Sequence, residues 1–455
     1  MFSQPSTTLE LETLPHPVPL SNHNHNPDPD SSPAQEPPIP LPTPTLPPTD
    51  GGAPAWTLLL SAFIFEALLW GLPLSFGIFA SYYSTLPTLS ASPYISTIGT
   101  CATGLTYVLA PLIIPLQKRY PTHRRTMIFL GWPLCLASLV AGSFATSLGA
   151  LVGTQGVGYG LGFTVAYYPV LGFVNEFWVR RRGFAYGVLC SASGVSGAVM
   201  PFCVDALLRR FGYAVTLRVI AAALFVLTGP LLFVIKGRGD GRGMATQGIG
   251  AEASRTDWTF LRKGRFWMYS VSNFAMGLGY FFPGIYLPSY AVANGLGDVR
   301  GAVLLALMSV TQVLGQMSFG YLSDGKVSLD TLALVSTTVA GVAVYACWGL
   351  AHSFSVMIVF SLLYGFFGAG YTALWGRMGM AVSTEPTGAF AAFGFLNFGK
   401  GIGNILAGPV GGVLLEEIVD VRSYGTERFG RIVLFTGACM VISGATVALG
   451  FLRRV

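Results

Sequence analysis

Charge is what this 455-residue sequence has least of: Asp, Glu, Lys and Arg make up 10% of it, against about 25% in ordinary soluble domains. Cysteine is sparse too. Six are scattered mostly through apolar stretches, which argues for small packing residues and against a disulfide framework. No Cys/His spacing fits a zinc site, and no Asn-x-Ser/Thr sequence offers a glycan acceptor. No nucleophile–base pair and no nucleotide-binding loop can be picked out, so neither an enzyme nor a cofactor is expected. The glycine run Gly153, Gly156, Gly158, Gly160 and Gly162 follows no strand and lacks the Gly-Lys-Ser/Thr ending of a phosphate loop, so close helix packing accounts for it. The net charge of +6 comes from basic residues spaced between apolar segments, which excludes a nucleic-acid stripe. Residues 1–55 lack Lys and Arg altogether while holding 15 Pro and six acidic residues. Such a stretch buries too little apolar surface to fold. Lacking a basic start, an apolar core and Arg, it is neither a signal nor a transit peptide. A disordered tail is expected there.

What is abundant is apolar length. Hydrophobic residues make up 52% of the chain, and residues 56–80 carry a single charge, Glu66. A bilayer-crossing helix needs about 20 mostly apolar residues. Twelve such spans are expected, near 56–80, 94–116, 126–146, 149–173, 184–205, 214–235, 266–289, 301–322, 331–350, 354–376, 388–413 and 432–451. The chain thus divides into a tail (1–55), a first six-helix half (56–235), a Gly-rich basic linker (236–265) and a second half (266–455).

Basic residues set the expected orientation. Lys118, Arg119, Arg124 and Arg125 follow span 2, Arg180 to Arg182 follow span 4, seven lie in the linker, and Arg453 and Arg454 end the chain. The turns after spans 1, 3 and 9 have none, and the turn after span 11 (Arg422, Arg428) is the exception. Positive residues stay on the cytoplasmic side, so both termini of a multi-pass membrane protein are expected in the cytoplasm. The halves also echo each other. Gly183, Gly194, Gly197 and Pro201 in span 5 correspond to Gly388, Gly401, Gly403 and Pro409 in span 11. Two such halves with a site between them near mid-depth are a common transporter plan.

At this point the residues resemble a known family. Gly320-Tyr321-Leu322-Ser323-Asp324 is similar to the loop motif of the major facilitator superfamily. Asp50-Gly51-Gly52 with Trp56, Leu74 to Phe79 with Tyr82 and Tyr83, and the run Phe177 to Gly187 resemble its monocarboxylate-porter branch, in a fungal-looking form. The resemblance covers about residues 50–452. It implies an all-α fold of twelve transmembrane helices in two pseudo-symmetric halves, moving a small organic solute across the plasma membrane by alternating access, with proton coupling and no second chain required. It also implies that Asp324 is an inner-gate residue, answered by basic loop residues such as Arg119 and Arg180. The sequence departs from the branch in having Leu74 where relatives carry a Lys in span 1, Gln312 and Gln316 where they carry Asp and Arg in span 8, and Ile114 and Lys118 in the first-half loop. These departures point away from lactate-type symport. They leave open a monocarboxylate-like anion, export of a secondary metabolite, and a transporter-like sensor.

A charge at mid-membrane costs roughly 3 kcal/mol or more. Glu66, ten residues into span 1, and Lys400, midway along span 11, are therefore the main candidates for proton and anion handling. Gln312 and Gln316 share a helix face and are candidates to hydrogen-bond a polar solute. Asn273 and Tyr280 in span 7 are further candidates for lining the cavity.

Overall fold

The computed structural model describes residues 47–87, 89, 94–239, 257–416, 424–425 and 429–452. The tail 1–46, most of the linker, Arg422 and Arg428 of the exceptional turn, and the terminal Arg453 and Arg454 lie outside them. Every regular element among the described residues is a helix. Among the described residues nine helices are long and apolar enough to cross a membrane, and the bent pair over 96–119 supplies a tenth. One of the nine runs 53 residues, Arg182–Val234. At 1.5 Å per residue that is about 80 Å, more than two bilayer cores, and Gly212, at φ 73°, breaks it in two. The segment 264–293, interrupted at Tyr280–Phe281, completes the twelve expected.

The helices are α1 (Ala53–Tyr83), α2 (96–119), α3 (Pro121–Gly142), α4 (Leu148–Phe177), α5 (182–211), α6 (213–234), α7 (264–293), α8 (Val299–Ser323), α9 (Leu329–Trp348), α10 (Phe354–Val382), α11 (Thr387–Leu415) and α12 (Gly430–Gly450). Large apolar side chains stand far out of the bundle, among them Leu112, Leu130, Phe225, Val226, Val299 and Leu449. Water would disfavour such a surface, and lipid favours it. Polar groups turn inward instead: Trp132 donates from α3 to Thr228 of α6, and Tyr168 of α4 donates to the Thr106 carbonyl of α2.

Pairing within the halves repeats. α1 packs on α5, α2 on α4 and α3 on α6. In the second half α7 packs on α11, α8 on α10 and α9 on α12. Between halves, α5 lies on α8 and α2 on α11. These seams are glycine-lined because the backbones touch. A β-carbon on Gly187 would fall 2.6 Å from the Gln316 carbonyl oxygen, and one on Gly401 would fall 2.8 Å from the Tyr107 β-carbon.

Several helices are deliberately imperfect. α1 breaks at Ser75, two residues after Pro73, and α2 bends by 43° at Leu109, before Pro111. α7 breaks just before Pro283. A proline supplies no N–H and its ring clashes with the preceding turn. π-helical turns interrupt α4 (Val152–Gly158), α9 (Ala343–Trp348) and α10 (Tyr364–Gly368).

Helix ends alternate between two faces. The basic face carries Lys118 to Arg125, Arg180 to Arg182, Arg238, Lys263, Asp324 and Arg377. The opposite face carries the ends of α1, α5, α7 and α11 and the starts of α2, α6, α8 and α12.

Candidate functional site

A cavity of about 1200 Å³ separates the halves. It extends from mid-depth to the opposite face, where Tyr82, Thr85, Tyr94, Arg209, Val292 and Val413 rim it. None of its lining residues comes from the basic face.

Glu66 and Trp70, one turn apart on α1, both line this space. Glu66 is 4% exposed and accepts from Trp70 Nε1 at 3.3 Å and from the Tyr167 hydroxyl at 3.4 Å. Trp70 in turn packs on Tyr107, ring centroids 5.6 Å apart. Lys400 lines the same cavity from α11 and is 3% exposed. Its Nζ lies 3.7 Å from the Trp375 ring centroid, 4.2 Å from Tyr107, 5.6 Å from Tyr280 and 5.9 Å from Phe281. A buried cation gains roughly 0.5–2 kcal/mol from each well-placed ring face, less than full solvation provides. Among the described residues no carboxylate pairs with it. The two mid-depth charges therefore face one cavity from different halves, with Trp70 and Tyr107 between them.

Gln312 lines the cavity and donates to Ser193 Oγ across the seam at 3.0 Å. Gln316 donates to Thr372 Oγ1 at 2.9 Å, and its own oxygen is buried without a partner among the described residues. Tyr280 lines the cavity and accepts, at its carbonyl, from the Tyr364 hydroxyl. Asn273 is a correction. It does not line the cavity: two turns nearer the basic face than Tyr280, its amide donates to the Tyr269 carbonyl and to Met378 Sδ, tying α7 to α10. Asn397 and Asn404, one turn to either side of Lys400 on the same helix face, line the cavity and were missed, as were Tyr107 and Trp375. Their spacing from Lys400 was the available signal for the two Asn. Nothing local marked the rings.

The basic face is sealed at two pseudo-symmetric points of opposite polarity. Asp324, at the end of α8, accepts from the backbone N–H groups of Gly183 and Phe184 at 2.7 and 2.8 Å, so its carboxylate caps the start of α5. Burial there pushes the Asp324 carboxyl above its ordinary value, partly offset by those two bonds. Lys118, at the end of α2, donates instead to the Thr387 carbonyl at the start of α11, at 2.7 Å. Above these contacts Tyr186 and Phe393 meet edge to face at 5.5 Å. Arg377 approaches Asp324 to 4.0 Å. The side chains of Arg119 and Arg180, expected to answer Asp324, are exposed and make no ion pair among the described residues. Arg119 is the last residue of α2 and Arg180 lies in the turn between α4 and α5, and the backbone of α5 takes their place.

The family model of the Major Facilitator Superfamily matches residues 58–329. The chain is similar to the MFS transporter asaE of Aspergillus flavus, 26% identical over 89% of each chain. It is similar to Monocarboxylate transporter 12 of Rattus norvegicus, 26% identical over 89% of this chain and 86% of that one. It is also similar to the Aspyridones efflux protein apdF of Emericella nidulans, 25% identical over 88% and 80%. A crystal structure of a bacterial homologue of the iron transporter ferroportin, in its outward-facing state, shares the fold with a TM-score of 0.64 at 16% identity, over 87% of this chain and 99% of that one. By its matching motifs, its paired helical halves and the cavity between them, this chain belongs to the Major Facilitator Superfamily.

Proposed function

We propose that this protein is a secondary carrier that moves a bulky, amphipathic organic monoanion together with a proton. One observation carries the reading: a cation with no carboxylate partner among the described residues, Lys400, shares an aromatic-walled cavity with a buried carboxyl, Glu66. The unpaired ammonium at mid-depth is stabilised by an anionic ligand, which supplies the counter-charge that the described chain does not. Its ring collar suits a ligand with a flat or apolar body.

Size points away from the smallest acids. At about 30 Å³ per water, the cavity volume corresponds to about 40 waters, and a three-carbon acid displaces few of them. An ionised Glu66 would repel the bound anion. Its protonation removes that repulsion, so proton and anion bind together and cross together with no net charge. A product made inside then leaves down its own gradient. The names of two relatives, a monocarboxylate transporter and an efflux protein, are compatible with an organic acid and with export. With the basic face cytoplasmic, the cavity opens on the outer side of the membrane.

Counterflow in proteoliposomes tests this. Vesicles preloaded with unlabelled acid are expected to take up labelled bulky aromatic or polycyclic monocarboxylic acids at least tenfold faster than lactate or acetate. A preference for lactate would remove the size argument. Absence of exchange across a broad acid panel would remove the carrier reading itself.

A further inference from the structure

The start of α5 is gripped twice. Asp324 holds Gly183 and Phe184 from the second half. From the other side comes the short segment that precedes α1. Asp50 Oδ1 accepts from three successive backbone N–H groups, those of Val179, Arg180 and Arg181, at 3.0, 2.8 and 2.8 Å. Its own N–H donates to the Phe177 carbonyl at 2.8 Å. Asp50 is the only non-glycine residue with positive φ among the described residues, at 58°. A side chain accepts that conformation only where its surroundings hold it there, and four hydrogen bonds do so here. Two further ties fix the segment. Arg238 Nε donates to the Pro47 carbonyl at 2.7 Å, and Trp56 packs edge-on against Trp178 and Phe184, centroids 5.1 and 5.9 Å away.

The two carboxylates thus divide one strip of backbone. Asp50 takes the amides of 179 to 181, and Asp324 takes those of 183 and 184. The first contact stays within the first half. The second joins the halves and must break whenever the basic face opens. A flexible 179–184 strip would present its last two amides poorly, and ordering them would cost entropy each time the seal re-forms.

We infer that Asp50 is a positioning residue for the seal: the pre-α1 segment is a brace that presents the Gly183 and Phe184 amides to Asp324 and so favours the state closed on the basic face. Asp50 touches neither cavity nor ligand. Its removal changes the balance between the two faces and leaves the solute's binding groups intact. Asparagine in its place keeps an oxygen acceptor and tolerates positive φ, so it preserves the brace. Glycine keeps the backbone conformation and removes the acceptor, so it abolishes the brace without straining the chain.

Cys190 lines the cavity and reports the balance. The experiment uses full-length protein with the other five cysteines changed to serine, in sealed vesicles, with a membrane-impermeant maleimide added to one face at a time. Asp50→Gly is expected to slow Cys190 labelling from the opposite face about fivefold and to speed it from the basic face by a similar factor. Asp50→Asn should label as the parent does. Combined with Asp324→Asn, Asp50→Gly should add little, because both act on one strip. Labelling by Asp50→Gly at the parent's rates from both faces would overturn the inference, and so would full additivity with Asp324→Asn. Should Asp50→Gly fail to insert, Arg238→Ala cuts the brace's other tie without touching α5. It is expected to shift labelling in the same direction by a smaller factor, and unchanged labelling there would equally overturn the proposal.

Discussion

Lys400→Met should weaken binding of the carried anion by about 30- to 4,000-fold while leaving the protein as stable as before, or more so. Truncating one member of a desolvated charge pair costs about 2–5 kcal/mol of binding, and each 1.4 kcal/mol is a factor of ten. In the unliganded carrier the ammonium has ring faces but no carboxylate partner among the described residues, so its removal relieves a desolvation cost. Methionine fills the space between Trp375 and Tyr107 and makes favourable sulfur–ring contacts. The Trp375 ring centroid lies 3.7 Å from Nζ, so titration of the purified protein by tryptophan fluorescence reads the binding, and a thermal melt reads the stability. Loss of binding with an unchanged or raised Tm is expected. Retained affinity would show that the anion is held elsewhere. A large fall in Tm would make Lys400 a structural charge.

Glu66→Gln should uncouple the carrier without stopping it. The amide oxygen of glutamine still accepts from Trp70 and Tyr167, so the local packing survives, but no proton can be taken up. Exchange of labelled for unlabelled anion, which needs no net proton movement, should persist within about threefold. Accumulation driven by a pH step should collapse. One pH unit is worth 1.36 kcal/mol for one proton, so the parent protein should concentrate the anion about tenfold on the alkaline side and the variant hardly at all. The sign is fixed by co-movement: acid outside drives uptake. Accumulation on the acid side would mean exchange in opposite directions. Normal accumulation by the variant would move the proton site away from Glu66.

Much of this was legible in the sequence because membranes impose simple rules. Apolar length gave the spans, basic residues distinguished the faces, and rarity of charge within spans singled out Glu66 and Lys400, which share one cavity. Legibility failed where the answer depends on which helices meet. Tyr107 and Trp375 look like ordinary aromatic residues until α2 and α10 bring them around an ammonium on α11. Asn273 and Tyr280 lie on one face of α7, so helical period alone could not tell that one reaches the cavity while the other ties to Met378. Lys118 read as a departure from a motif. Only the fold reveals that it bridges the halves where an acid would, donating to a carbonyl in place of accepting from amides. Asp50 stood out merely as part of an Asp-Gly-Gly run, since its three amide partners lie about 130 residues away.

The passage from α5 to α6 has a mechanical consequence. Here a single residue, Gly212, makes the whole connection, beside the Tyr82 hydroxyl. With so short a link, a rotation of α5 against α8 is expected to carry α6 with it, and the Trp132–Thr228 bond ties α6 in turn to α3. Evolution or an engineer can enlarge the rim at the α7–α8 turn, where exposed Gly295 and Gly297 leave room. At Gly212 an added residue would cut the drive shaft.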